Sequence, residues 1–181
     1  MPAETLMTAE QLLHNPIPNK RTALVNGRLI VREPAGFPHG LAAARLLVAI
    51  SQYVTAAKCG DVLTAETGFT LRRGPDTVRA PDVAYVSNAQ IAGRTLRGFA
   101  ELAPELVVEV LSPDDRTGEV REKVLDWLAS GSRLVWVVDP ERRTGRVHRP
   151  DGLESSIMEQ DGFDGEDVFP GLRVSLAEVL S

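Results

Sequence analysis

The chain has 181 residues, 43% of them hydrophobic and 25% charged, which is ordinary composition for a soluble globular protein. Its net charge of −5 does not advertise a polyanion partner, and its one cysteine, Cys59, excludes an internal disulfide or a Cys/His metal finger. No long uninterrupted apolar run and no signal-like start occur, so the expected setting is a reducing cytoplasm with no membrane partner.

Residues 1–20 read as an N-terminal arm with a short helix from about Ala9 to His14. Leu24-Val25-Asn26-Gly27-Arg28-Leu29-Ile30-Val31 is a hairpin pattern: two apolar runs joined by a pair that tolerates positive φ. Pro34 and Pro38 break the chain, and a helix is expected from Gly40 to about Lys58, ended by Cys59-Gly60. One strand is expected over 62–71, then a turn at Gly74-Pro75-Asp76. A second is expected over 78–86, where Pro81 limits pairing to a sheet edge or to the residues after it. Residues 92–98 read as a loop.

The next strand, 105–111, lies in an apolar run between Pro104 and Pro113. Pro113 with Asp114 or Asp115 starts a helix to about Ala129, ended by Gly131. Leu134-Val135-Trp136-Val137-Val138-Asp139 is another buried strand, so 105–139 is a strand–helix–strand unit. A hairpin near Arg146 and Ile157, an acidic loop at 161–167 and a small helix capped by Ser175 complete one α/β domain. Arg72, Arg73 and Arg79 form one basic cluster, and Arg142, Arg143, Arg146, His148 and Arg149 another. Solvated hairpin arginines are the first reading of both, a phosphate-binding patch the second.

Chemistry enters at Glu109, a carboxylate in the middle of a strand that otherwise reads as buried. Such a charge is costly unless a cation, a metal or several donors compensate it. Asp82 heads the preceding apolar strand. If the two strands are neighbours, both carboxylates reach one spot, and a hard divalent cation is its natural occupant. Taken singly, Asp82 also fits a turn or cap, and Glu109 a buried ion pair. Lys123 is one of three lysines against seventeen arginines. At about 100° per residue it falls roughly 60° from Val120, on the border of the stripe Val120, Val124, Trp127 and Leu128. From there its ammonium either reaches the Glu109 strand or snorkels to solvent. His39, Arg116 and Ser112 are supporting candidates for phosphate or secondary contacts. There is no Ser/His/Asp set and no phosphate-cradling glycine loop.

Together these residues resemble the PD-(D/E)XK nuclease superfamily and, more narrowly, the Uma-two family of bacterial restriction-endonuclease-like proteins. The resemblance runs through Val25-Asn26-Gly27, His39, Arg79-Ala80-Pro81-Asp82-Val83-Ala84 and Pro104-Glu105-Leu106-Val107-Val108-Glu109-Val110-Leu111-Ser112-Pro113. It continues through Lys123, Gly131, Trp136-Val137-Val138-Asp139-Pro140 and Phe169-Pro170-Gly171-Leu172. Leu111 stands where the lysine of the superfamily pattern would sit. The Uma-two type places that lysine on the following helix, where Lys123 matches.

The resemblance implies a restriction-endonuclease-like core, with a central mixed sheet flanked by helices. It also implies a Mg²⁺ or Mn²⁺ ion held by Asp82, Glu109 and the Val110 carbonyl, with Asp82, Glu109 and Lys123 catalytic. DNA is then the expected substrate and a homodimer the expected assembly. Two other readings stay open: a nuclease-fold module that binds DNA or protein without catalysis, and a hydrolase of small phosphoesters.

Overall fold

The computed structural model describes residues 6–94 and 96–181; the start of the expected arm and Thr95 of the expected loop lie outside the described residues. Helix α1 (Ala9–His14) opens with a capping box, in which Thr8 and Gln11 satisfy each other's backbone N–H groups. Strands β1 (Arg21–Val25) and β2 (Arg28–Arg32) form the expected hairpin, with Asn26 at φ 52° and Gly27 at φ 74°.

Helix α2 (Phe37–Ala57) begins three residues before the expected Gly40. Pro38 does not break it, because in the first helical turn a missing N–H leaves no bond unmade. His39 therefore lies inside the helix rather than ahead of it. Lys58, at φ 52°, closes the helix in the left-handed conformation.

The two strands expected over 62–71 and 78–86 each divide. β3 (Gly60–Thr64) and β4 (Phe69–Arg72) are separated by a turn, β5 (Thr77–Arg79) and β6 (Val83–Ser87) by Ala80-Pro81-Asp82. In both cases the two halves belong to different sheets. Pro81 has no N–H to donate, so the ladder stops there and the chain crosses from one sheet to the other.

After the short α3 (Asn88–Ile91) come β7 (Leu106–Val110), α4 (Thr117–Ala129) and β8 (Leu134–Asp139). α4 starts later than expected because Asp115 is used in a turn. Its carboxylate accepts from the Ser112 N–H at 2.8 Å and its own N–H donates to the Ser112 carbonyl at 2.9 Å. β9 (Thr144–His148) and β10 (Glu154–Met158) make the second hairpin. The expected loop at 161–167 contains β11 (Gly162–Asp164), which pairs with β12 (Arg173–Ser175) before α5 (Leu176–Val179).

Among the described residues the main sheet runs β10-β9-β8-β7-β6-β3, and it is mixed: β7 and β8 are parallel, the other neighbours antiparallel. A second, antiparallel sheet runs β2-β1-β5-β4. Alternation along β7 sorts the core. Leu106, Val108 and Val110 share a cluster with Leu46 and Ile50 of α2 and with Phe163 and Phe169. Val107 shares another with Val124 and Trp127 of α4. By the same alternation Glu109 points to the α4 side.

Helix α2 is long and apolar enough to cross a bilayer by length and composition. In this fold it covers one face of the main sheet, and Arg45 at its middle donates to the Val179 carbonyl at 3.2 Å. The two arginine clusters resolve into side-chain partners, among them Arg73 with Asp76, Arg143 with Glu159 and Arg149 with Glu166.

Candidate active site

The register of β6 against β7 creates the site. Val83 pairs with Val108 and Tyr85 with Leu106, so the next step outward sets Asp82 opposite Glu109. The Asp82 N–H donates to the Val108 carbonyl at 3.1 Å, and the Val110 N–H donates to Asp82 Oδ2 at 2.8 Å. Asp82 is thus pinned to β7 on both sides of Glu109. The two carboxylates are only 8% and 4% exposed.

Each carboxylate has one oxygen fixed by an N–H and one turned toward basic side chains. Asp82 Oδ1 lies 3.2 Å from His39 Nε2 and 3.9 Å from Arg21 Nη1. Glu109 Oε1 accepts from the Trp127 indole N–H at 2.8 Å, while Oε2 lies 3.6 Å from Lys123 Nζ. That ammonium is also 3.8 Å from Asp115 Oδ1. Lys123 and Trp127 are i, i+4 on α4, so the rotation that buries the indole also aims the ammonium at Glu109.

Burial pushes the Glu109 carboxyl above the ordinary carboxylate range, and the negative charge of Asp82 adds to the rise. The Lys123 ammonium and the Trp127 N–H oppose it. The upward direction wins because the side chain has lost its water. The neighbouring cation and N–H donor thus offset the burial of this carboxyl only in part.

The carboxylates open onto a cleft of about 900 Å³, whose lining includes Arg21, Arg32, Arg79, Val110 and Lys123. Arg79, almost buried, fixes one wall. Its Nε and Nη2 donate to Asp126 Oδ2 at 2.9 and 2.6 Å, tying the second sheet to α4. Asp126→Ala leaves that guanidinium buried without its anion, and is expected to destabilise the fold by about 3 kcal/mol in urea denaturation.

Whether a metal fits is a question of donors. Among the described residues no group of three or more His, Cys, Asp or Glu side chains is placed to hold an ion. The set is two carboxylates, each with one oxygen held by an N–H, beside Val110 in the cleft wall. That matches Mg²⁺, which prefers one or two carboxylates with waters and substrate phosphate to a closed protein cage. It does not match a structural zinc site.

Of the residues expected from sequence, the structure brings together Asp82, Glu109, Val110, Lys123 and His39. Ser112 adjoins the site through its bond to Asp115, and its own hydroxyl is buried without a partner among the described residues. Arg116 is the N-cap of α4 and does not line the cleft. Three contributors were not foreseen: the Trp127 N–H, Asp115 and Arg21. A tryptophan in an apolar stripe does carry a signal, since a buried indole N–H needs an acceptor.

Comparison with known proteins places the chain in a family and a fold. A family profile, Uma2, described as "Putative restriction endonuclease", matches residues 9–177. The chain belongs to the Uma2 family. Among solved structures, a crystal structure at 1.96 Å from Anabaena variabilis ATCC 29413 is similar; it is described as "a putative nuclease belonging to DUF820". The match has a TM-score of 0.83 and 20% identity, covering 96% of this chain and 97% of that one. At that identity the likeness establishes a shared fold: a central mixed sheet flanked by helices. A search of curated proteins returned no match. In this Uma2 member the segment from α1 to the start of α5 lies within the matched region, so both carboxylates and Lys123 do as well.

Proposed function

We propose that this Uma2 protein is a nuclease that hydrolyses DNA phosphodiester bonds with a divalent cation, Mg²⁺ or Mn²⁺. Asp82, Glu109 and the Val110 carbonyl would hold the ion. The observation that carries the reading is a pair of buried, register-locked carboxylates with a lysine ammonium 3.6 Å from one of them. The family's description and that of the structural neighbour support nuclease chemistry.

A cation bound here supplies a Lewis acid for a phosphoryl oxygen and lowers the pKa of a bound water. The remaining work falls to the chain's own side chains. Trp127 holds Glu109 Oε1, which turns Oε2 toward the cleft. The Val110 N–H holds Asp82 Oδ2 and leaves Oδ1 facing the same space. Lys123, placed between Glu109 and Asp115, orients the attacking water and offsets charge developing on the phosphoryl oxygens. His39 orients Asp82 from the first turn of α2. Acting in the cytoplasm as a homodimer, two copies would offer one site to each strand of a duplex.

The test is nicking of a supercoiled plasmid with Mg²⁺ or Mn²⁺. Wild-type protein should nick, and Lys123→Ala should lose about a hundredfold in rate. A wild type no more active than Glu109→Ala overturns the proposal. The non-catalytic alternative instead expects DNA binding that survives Glu109→Gln and does not respond to the cation.

A further inference from the structure

The β1–β2 hairpin sets two arginines side by side above the carboxylates. Arg21 and Arg32 are cross-strand partners, so their side chains leave the same face of the ribbon. Ala23 and Ile30 of that face line the cleft with them. Leu24 and Leu29 of the other face pack with Leu12 and Val78. Like charges directly opposite on a ribbon repel. Each of these is offset by an acid from a different element: Asp82 for Arg21, and Glu119 of α4 for Arg32.

The two are not equally satisfied. Arg21 is braced from behind, its Nε donating to the Glu33 carbonyl at 3.1 Å. Its Nη groups have no hydrogen-bond acceptor among the described residues, since Asp82 Oδ1 at 3.9 Å is beyond hydrogen-bond reach. A guanidinium fork is therefore held open toward the cleft beside the proposed scissile position. Arg32 is ion-paired to Glu119, but both side chains are 37% exposed, so exchanging that partner for another anion carries little desolvation cost.

We propose that Arg21 and Arg32 form a two-point phosphate clamp for the DNA strand. Arg21 takes the phosphate next to Asp82 through its free fork, and Arg32 leaves Glu119 for a neighbouring phosphate. Planar guanidinium donors match the non-bridging oxygens of a phosphodiester. The proposal rests on the nuclease reading for the identity of the strand, and on the hairpin register for the clamp itself. It makes the hairpin a substrate-positioning element rather than a passive wall.

The experiment is binding of a fluorescent duplex oligonucleotide without divalent cation, measured across a salt series, with cleavage of the same duplex in Mg²⁺ as a separate arm. Arg21→Gln and Arg32→Gln should each flatten the dependence of log K on log salt by about 0.9, the loss of one phosphate contact. Arg21→Lys should restore the slope, and Glu119→Gln, which frees Arg32, should tighten binding. Melting curves check that each variant folds. If the slopes do not change, or Glu119→Gln weakens binding as Arg32→Gln does, the arginines are structural ion-pair partners and the clamp is overturned. A protein that cleaves with unchanged slopes loses the clamp and keeps the nuclease reading. One that never cleaves but shows both slope losses keeps the clamp and loses that reading.

Discussion

Glu109→Gln is expected to abolish cation-dependent cleavage, by on the order of a thousandfold or more, while raising the melting temperature of the cation-free protein at neutral pH. The two effects have one cause. Burial lifts the Glu109 carboxyl above its ordinary range, against the opposing pull of Lys123. A group whose folded pKa is raised contributes its full stability below the unfolded carboxylate range. That contribution is lost as pH rises through the folded value. Relative to the unfolded chain, the wild type at neutral pH therefore bears a cost at Glu109 that its neighbours only partly offset, and glutamine, which does not titrate, bears none. Thermal unfolding followed from acid to neutral pH should show the two proteins converging in acid and separating as pH rises. Mg²⁺ or Mn²⁺ should raise the wild-type midpoint and leave the glutamine variant nearly unchanged. A variant less stable than wild type at neutral pH would mean that Lys123 and Trp127 fully compensate the charge.

Trp127 is where stability and chemistry are most tightly joined. Its side chain is fully buried, stands edge-on to Phe69 with ring centroids 6.2 Å apart, and donates to Glu109. Trp127→Ala is expected to cost about 3–5 kcal/mol, through lost contacts and the cavity left behind. Trp127→Phe refills most of that volume, so its cost should be roughly 1–2 kcal/mol. It still removes the N–H that fixes Glu109 Oε1. Cleavage by the phenylalanine variant should therefore fall about tenfold or more, out of proportion to its stability in urea. If it cleaves like wild type, the indole N–H has no part in positioning the carboxylate.

Much of this arrangement is legible in the amino-acid sequence, for definable reasons. A run between Pro104 and Pro113 whose core is apolar except for Glu109 reads as a strand covered on both faces, and β7 is buried throughout. Asn26-Gly27 marks the turn between β1 and β2 because few residue pairs accept two positive φ values in succession. Lys123 can be placed at the edge of a helical stripe by angle alone.

What stays hidden depends on tertiary packing. Residues 62–71 and 78–86 each read as one strand, because local propensity cannot show a chain leaving one sheet for another. Asp115 reads as a helix start, whereas its carboxylate caps a turn instead and stands beside Lys123. Nothing in the hairpin's own residues says that Arg21 reaches Asp82, since that depends on how the second sheet is docked against α4.

The pairing of β6 with β7 also has a consequence for molecules that have not finished folding. Side chains on a strand alternate, so a slip of β7 by a single residue would turn Glu109 toward α2 and bring a valine to the cleft in its place. On the nuclease reading the ladder then works as an interlock. A chain with β7 one residue out of register would carry Asp82 without Glu109 beside it, and so would lack the proposed cation site.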